Sequence, residues 1–129
     1  FDRNTDYPII DLMEKQKTIV NKGGTMRLGS YKCKLSKNSI VRNAYKMETI
    51  EERHRHRYEF NSTFKNEFNE NGMITTGINE KLNLVEVIEL KNHPWFVGTQ
   101  YHPEYKSRVL KPHPLFISFV SKIKSIKNG

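Results

Sequence analysis

Cysteine is nearly absent from this sequence, since Cys33 is the one cysteine in 129 residues. A single thiol excludes an internal disulfide framework and is typical of a reducing compartment, so we expect the protein in the cytoplasm. No apolar run approaches the ~20 residues that a helix needs to span a bilayer, and no signal-peptide pattern is seen. These absences exclude disulfide-stapled secreted domains and predict no membrane partner.

Acidic residues are also scarce relative to basic ones. The 22 Lys and Arg residues outnumber the 14 Asp and Glu residues, giving a net charge of +8. Such an excess can attract nucleic acid or simply keep a protein in solution. The lysines are scattered, and Lys122, Lys124 and Lys127 suit the negative end of a helix dipole without any partner. We therefore expect a solvated basic surface and no nucleic-acid partner.

The composition is otherwise ordinary for a globular domain. Apolar residues make up 36% and charged residues 28% of the chain, and the length is enough for one domain with one core. We find neither an internal repeat nor a low-complexity tract. Because the chain begins at Phe1 without an initiator Met, we expect it to be a piece of a longer protein.

The spacing of apolar residues predicts short strands alternating with helices. Strands are predicted at 26–35, 73–76, 84–90 and 95–101, and a short strand or a turn at 9–13. Helices are predicted after a Ser36 cap, between Asn61 and Asn71, and from Pro114 to Lys127. We also expect a bulge at Gly29-Ser30, a turn at 77–81, a mobile charged segment at 14–22 and a break at 23–25.

A histidine and a carboxylate lie two residues apart at the end of the last predicted strand, in Gln100-Tyr101-His102-Pro103-Glu104-Tyr105. Pro103 has no N–H and holds His102 in an extended conformation. In an extended segment, residues i and i+2 project to one side about 7 Å apart, so Glu104 can reach the His102 ring. A carboxylate on one ring nitrogen leaves the other free to take a proton from a nucleophile.

Two further His-Pro dipeptides, His93-Pro94 and His113-Pro114, lack this feature. The residue two positions on is Trp95 in the first and Leu115 in the second. His102 is therefore the histidine of the three that the sequence pairs with an acid.

The stretch from Glu51 to Phe60, Glu-Glu-Arg-His-Arg-His-Arg-Tyr-Glu-Phe, is the second unusual segment. If extended, it directs its three arginines to one side and His54, His56 and Tyr58 to the other. Three interpretations stay open: a metal site, a nucleic-acid surface, and a clamp in which one arginine pairs with a substrate carboxylate. A metal site is not expected, because the arginines repel a cation and no third ligand is close in sequence. The clamp competes well because the same chain holds a His–Glu pair.

Cys33 lies inside an alternating strand pattern between Lys32 and Lys34. Two flanking lysines are expected to lower the pKa of its thiol somewhat. A nucleophile usually sits on a sharp glycine-rich turn rather than in mid-strand. We therefore interpret Cys33 as a structural residue.

As a set, these segments resemble the CTP synthase family. The matching motifs, in order, are Gly23-Gly24-Thr25-Met26-Arg27-Leu28-Gly29, Glu52 to Phe60, Asn92-His93-Pro94-Trp95-Phe96, Gln100-Tyr101-His102-Pro103-Glu104 and His113-Pro114-Leu115-Phe116. The resemblance covers nearly the whole chain. It implies that residues 1–129 are the C-terminal part of a class I glutamine amidotransferase domain, an α/β fold with an open, flavodoxin-like sheet.

The resemblance also implies an activity. In this family a Cys–His–Glu triad hydrolyses glutamine, and the ammonia passes to a synthetase domain where ATP and Mg²⁺ drive the amination of UTP to CTP. His102 and Glu104 correspond to the histidine and glutamate of the triad, and Arg57 to the arginine that contacts glutamine. No metal or cofactor is implied for this piece. The intact enzymes of the family imply a homo-oligomer, a tetramer.

The chain departs from the family pattern in one respect. The family's nucleophile lies on a Gly-x-Cys-x-Gly elbow, and this sequence contains no such elbow, because Cys33 corresponds to a strand position. The oxyanion-hole residues and the synthetase domain are missing as well. We therefore expect the chain to be inactive by itself. The alternatives are another class I amidotransferase that feeds a different synthetase, and, from another class, a small basic nucleic-acid-binding module.

Overall fold

The computed structural model describes residues 4–12 and 26–128. The predictions for residues 14–22 and for Gly23-Gly24-Thr25 lie outside these ranges. Within them, no helix has both the length and the apolar content needed to cross a membrane.

Strands dominate the described part of the chain. They are β1 (Ile10–Leu12), β2 (Arg27–Leu35), β3 (Thr49–His56), β4 (Tyr58–Phe60), β5 (Met73–Asn79), β6 (Leu84–Leu90) and β7 (Val97–Thr99). The α-helices are α1 (Ile40–Tyr45), α2 (Lys65–Glu70) and α3 (Pro114–Lys127), and two 3₁₀ helices cover Ser62–Phe64 and Pro103–Lys106.

Five strands form one open sheet in the order β3-β2-β5-β6-β7, and β1 pairs with β4 beside it. The pairings described are all antiparallel. Although β3 and β7 are the two edges of the sheet, the backbone N–H of His102, just after β7, donates to the carbonyl of Arg53 in β3 at 2.9 Å. The sheet is therefore curled, and the segment that follows β7 lies across the edge strand β3.

The apolar core lies between this sheet and helices α1 and α3. Its buried members come from every layer of the fold: Cys33, Leu35, Val41, Ile50, Val87, Tyr101 and Leu115. Strand side chains alternate between the core and solvent. Val41 of α1 is fully buried against the side chains that face the core. This packing joins the segment around Tyr101 to both helices.

Strand β2 contradicts the predicted bulge. Its register with β3 is continuous from Arg27 opposite His56 to Lys34 opposite Thr49. The sequence pattern placed Leu28 on the inner face, but Leu28 is 59% exposed and Arg27 is buried. Gly29 has a φ of +106° without shifting the register. The prediction is wrong because a buried ion pair, rather than an apolar residue, occupies the inner position at Arg27.

The boundaries of several other elements also differ from prediction. Ser39 rather than Ser36 caps α1, its Oγ accepting from the N–H of Arg42 at 3.0 Å. The last strand is limited to Val97–Thr99. Helix α3 has the predicted bounds, but its apolar stripe of Phe116, Phe119, Val120 and Ile123 is 41–49% exposed.

Gly77 was predicted to open a turn, but it lies inside β5 at a shift of register between Thr75 and Ile78. A Cβ at this position would lie 2.6 Å from Cγ2 of Val87 and 2.8 Å from Sγ of Cys33. No side chain therefore fits between β5 and the core without displacing its neighbours.

We expect Gly77→Ala to lower the free energy of unfolding by about 1–3 kcal/mol, because overpacking a filled core costs that much. Urea denaturation of the purified protein measures the loss. Gly98→Ala is the comparison, since its Cβ would meet the half-buried Ile88 at 2.9 Å rather than two fully buried neighbours. Equal losses in the two variants would contradict the explanation.

Candidate active site

His102 and Glu104 form the ion pair that the sequence predicts. Nδ1 of His102 lies 2.7 Å from Oε1 of Glu104, and their side chains are 33% and 56% exposed. The predicted geometry was an extended chain, but Pro103–Lys106 is a 3₁₀ helix and Glu104 lies in its first turn. Proline is tolerated at the start of such a turn, and the turn brings the carboxylate under the ring.

The surroundings of Glu104 favour its ionised form. Partial burial acts to raise the pKa of Glu104, but its own backbone N–H and the hydrogen bond from His102 together lower it. The carboxylate is an acceptor, so Nδ1 of His102 carries the hydrogen, and Nε2 is left as the basic nitrogen. Within the described ranges Nε2 makes no hydrogen bond, so it is free to take a proton.

Backbone and ring contacts fix the position of His102. Its N–H donates to the carbonyl of Arg53 at 2.9 Å, and its carbonyl accepts from the N–H of Tyr105 at 3.1 Å. The Tyr105 ring stacks on the imidazole, with centroids 4.7 Å apart and planes 15° from parallel. His102 is therefore held by contacts with three residues, Arg53, Tyr105 and Glu104.

The preceding residue, Tyr101, is buried and anchors the same turn from below. Its hydroxyl lies 3.3 Å from that of Tyr45 in α1, which in turn donates to Oε1 of Glu52 at 3.0 Å. Nε2 of His113 lies 3.2 Å from the same carboxylate oxygen. Burial raises the pKa of both tyrosines well above their usual range, so both hydroxyls stay protonated and can donate.

The three His-Pro histidines therefore have different roles. Nδ1 of His93 accepts from the N–H of Trp95 at 3.2 Å, and Nδ1 of His113 accepts from that of Leu115 at 3.3 Å. Only His102 of the three uses Nδ1 on a carboxylate. His113 does reach Glu52 with Nε2, a second His–Glu pair that the sequence analysis missed, but it is 2% exposed and has no access to a substrate.

The Arg-His-Arg-His-Arg-Tyr stretch has the predicted alternation over its strand part. Arg53 and Arg55 are exposed on β3, whereas His54 is buried and His56 is half-buried. Arg57 lies at the bend between β3 and β4, half-buried, and its buried Nε has no hydrogen-bond partner within the described residues. No hydrogen bond or ion pair of the described residues joins Arg57 to His102 or Glu104. Both sites nevertheless adjoin β3, since Arg57 directly follows its last residue and His102 is bonded to Arg53 through the backbone.

A buried charge cluster behind this stretch was also missed. Arg27 donates from NH1 to Glu59 at 3.1 Å and from NH2 to Glu86 at 2.5 Å, with all three side chains at most 6% exposed. Its guanidinium also lies 4.3 Å from the centroid of the Tyr31 ring. A signal existed, because Glu86 interrupts the apolar run from Leu84 to Leu90. A charged residue inside such a run must be paired when buried.

Cys33 is structural, as predicted, but for a different electrostatic reason. The thiol is 1% exposed. Burial, with the charge of Glu86 adding to it, raises the pKa of Cys33 to about 12. The predicted lowering by Lys32 and Lys34 is wrong because both lysines lie on the exposed face of β2.

Metal binding gains no support from the histidine pair. Nδ1 of His54 lies 2.8 Å from Nε2 of His56, so the two rings bond each other. Among the residues of the two described ranges, no three His, Cys, Asp or Glu side chains are grouped as metal ligands.

Comparison with known protein families shows to which family the chain belongs. Residues 5–122 match the family "Glutamine amidotransferase class-I". The chain belongs to this family. The curved open sheet is thus that of a class I glutamine amidotransferase domain, and the predicted α/β fold is confirmed.

Curated relatives share more than half of the sequence of this amidotransferase chain. It is 60% identical to a CTP synthase of Christiangramia forsetii over 119 residues, which are 92% of this chain and 22% of that protein. It is 54% identical to a CTP synthase of Clostridium acetobutylicum over 126 residues, 98% of this chain and 24% of that protein. The chain therefore spans about a quarter of the length of these relatives.

A solved structure shows the same fold. The glutaminase domain of Trypanosoma brucei CTPS with bound acivicin superposes with a TM-score of 0.86 at 26% identity. The match covers 97% of this chain and 49% of that chain.

Proposed function

We propose that this chain supplies the general base, its orienting carboxylate and a glutamine-binding arginine to the glutaminase reaction of a CTP synthase. The observation that carries the proposal is the 2.7 Å contact between His102 and Glu104 at a partly exposed turn. The names of the curated relatives support the choice of reaction.

The proposed chemistry uses Nε2 of His102 as the general base. It takes the proton of a cysteine thiol supplied by another part of the protein, and the thiolate attacks the side-chain amide carbon of glutamine. His102, now an imidazolium stabilised by Glu104, gives the proton to the nitrogen that leaves as ammonia. Water then hydrolyses the thioester to release glutamate. Because Cys33 is buried with its pKa raised to about 12, it is not that nucleophile.

The remaining steps are proposed to occur outside this chain. ATP, Mg²⁺ and UTP would bind a synthetase domain that receives the ammonia and forms CTP. The inactivity of the chain alone, the tetrameric state and the cytoplasmic location stay predictions. Another class I amidotransferase, feeding a different synthetase, is the nearest alternative. Formation of CTP from UTP by the full-length protein decides between them.

Arg57 is proposed to bind the α-carboxylate of glutamine. The side chain of Arg57 is only half-buried and makes no hydrogen bond or ion pair within the described ranges, so the exposed part of its guanidinium is available to an anionic ligand. Arg57→Ala in the full-length protein should raise the KM for glutamine by about 10- to 100-fold, since a hydrogen bond to a charged group contributes about 1.5–3 kcal/mol.

The control for Arg57→Ala is Arg55→Ala, because Arg55 is an exposed arginine of β3, two residues before Arg57. It should leave the KM for glutamine unchanged. Steady-state kinetics with glutamine and with ammonium chloride make the measurement. An Arg57→Ala variant that loses equal activity with both nitrogen sources would show a structural role instead.

A further inference from the structure

The His56 ring spans the bend that holds Arg57. Its Nδ1 lies 3.0 Å from the carbonyl oxygen of Tyr58. A carbonyl oxygen can only accept, so Nδ1 carries the hydrogen and donates it. The two bonded residues flank Arg57, where β3 ends and β4 begins. This contact therefore fixes the backbone conformation at Arg57.

The direction of this hydrogen bond determines the next one. Burial, reinforced by the positive charge of Arg27, lowers the pKa of His56 to about 4, so the ring is neutral and its Nε2 is an acceptor. Nδ1 of His54 lies 2.8 Å away and must be the donor. Burial and the same arginine lower the pKa of His54 to about 3. A neutral His54 that donates from Nδ1 has a lone pair at Nε2.

That lone pair faces another acceptor. Nε2 of His54 lies 3.7 Å from Oε2 of Glu86, and both side chains are 0% exposed. Neither atom has a hydrogen-bond partner among the residues that the structure describes. Two buried acceptors facing each other are unfavourable unless one hydrogen lies between them.

The charges around the pair indicate which group carries that hydrogen. Among the residues that the structure describes, Arg27 is the cation in contact with both carboxyl groups, and burial raises the pKa of both, that of Glu59 to about 7. Glu59 has both oxygens within 3.1–3.4 Å of NH1 of Arg27. Glu86 has a donor at Oε1 only. Burial and the positive charge of Arg27 disfavour a second proton on His54, so Glu86 is the group left to carry the hydrogen.

We infer that Glu86 is protonated at Oε2, where its hydrogen faces the lone pair of His54 Nε2 at 3.7 Å, that His54 donates to His56 and His56 to the carbonyl of Tyr58, and that this arrangement positions Arg57 to bind glutamine. Glu86, His54 and His56 are positioning residues and touch no substrate. The positioning role rests on the proposed function of Arg57, whereas the location of the proton does not.

Infrared spectroscopy of the full-length protein tests the proton. The difference spectrum between the protein and its Glu86→Gln variant should contain the C=O stretch of a protonated carboxylic acid. Paired bands of an ionised carboxylate would overturn the inference. A glutamine amide keeps an acceptor for Arg27 and offers N–H to His54, so this conservative variant should hold the KM for glutamine within about threefold. A tenfold rise would also overturn it.

Two His56 variants test the positioning role in the same protein. Asparagine places an N–H donor near the position of Nδ1, whereas phenylalanine fills the volume without a donor. His56→Phe should raise the KM for glutamine about tenfold, and His56→Asn at most about threefold, with kcat from ammonia unchanged in both. Equal effects of the two variants would contradict a role for the hydrogen bond.

The Arg57→Ala background separates this role from a general loss of structure. A residue that acts through Arg57 adds nothing once Arg57 is gone, so His56→Phe should not raise the KM further there. An additional tenfold rise would overturn the positioning role. If Arg57→Ala leaves the KM unchanged, the proposed function of Arg57 fails together with the positioning role, and the infrared result still decides the proton on Glu86.

Discussion

Replacing His102 with alanine should abolish glutamine-dependent turnover in the full-length protein, with a fall in kcat of at least about 10³-fold. The reason is that Nε2 of His102 is the basic nitrogen next to the turn, while Nδ1 is engaged by Glu104 at 2.7 Å. Turnover with ammonium chloride should survive, because that nitrogen source needs no base from this chain. Measuring kcat with both nitrogen sources gives the result.

Replacing Glu104 tests whether Glu104 and His102 act as one catalytic unit. Glu104→Ala should reduce turnover with glutamine by less than His102→Ala, because the imidazole remains. Residues that act as one unit are non-additive, so the double variant should be barely worse than His102→Ala alone. If the two single losses add fully in free energy, the residues act independently and the assignment of a catalytic pair is contradicted.

His93→Ala is the matched control for His102→Ala. It removes another exposed histidine of a His-Pro dipeptide, whose ring accepts a backbone N–H instead of bonding a carboxylate. Turnover with glutamine should stay close to that of the unmodified protein. A loss comparable to that of His102→Ala would mean that the His-Pro loops matter for structure rather than for proton transfer.

The His–Glu pair could be predicted from sequence because its cause is local. Glu104 lies two positions after His102, with Pro103 between them, so no distant residue is needed to form the contact. The alternation of Arg53, His54, Arg55 and His56 on β3 is local in the same sense. The strand from Leu84 to Leu90 and the helix from Pro114 to Lys127 were likewise bounded correctly by periodicity and flanking residues.

The remaining features depend on contacts between distant segments. Arg27 looks like a surface residue in a local pattern, and only its pairing with Glu59 and Glu86 makes its burial possible. Gly77 resembles a turn residue until Val87 and Cys33 are seen to fill the space beside it. Glu52 was one of several acids in a charged run, and its buried role requires α1 and α3 to bring Tyr45 and His113 to it.

The largest effect on stability is expected from Arg27→Met. The methionine fills much of the same volume but leaves the Glu59 carboxylate without its cation, and Glu86 without its donor at Oε1, in a site where both side chains are at most 6% exposed. Removing one partner of a buried ion pair costs about 3–5 kcal/mol, because the remaining charge is uncompensated. The midpoint of urea unfolding should fall accordingly.

The pH dependence of this loss follows from the carboxyl groups. Burial, opposed by Arg27, raises the pKa of Glu59 from 4.5 to about 7. A raised folded pKa means that its contribution to stability is fully present below the unfolded pKa and is lost as the pH rises through the folded pKa. Without Arg27 the pKa of Glu59 rises further, so at about pH 5 folded Glu59 is protonated in both proteins, whereas at about pH 8 only the variant holds a proton that unfolding would release. The deficit of Arg27→Met should therefore be larger at the higher pH.

The exposed ion pair of Lys34 and Glu80 is the comparison for the Arg27→Met variant. Lys34 lies 2.7 Å from Glu80, with the two side chains 49% and 65% exposed. Lys34→Met should lower the free energy of unfolding far less than Arg27→Met, because exposed ion pairs contribute little and are screened by salt. A deficit for Arg27→Met that equals that of Lys34→Met, or that shrinks from about pH 5 to about pH 8, would show that the buried carboxyl groups do not depend on Arg27 for their charge balance.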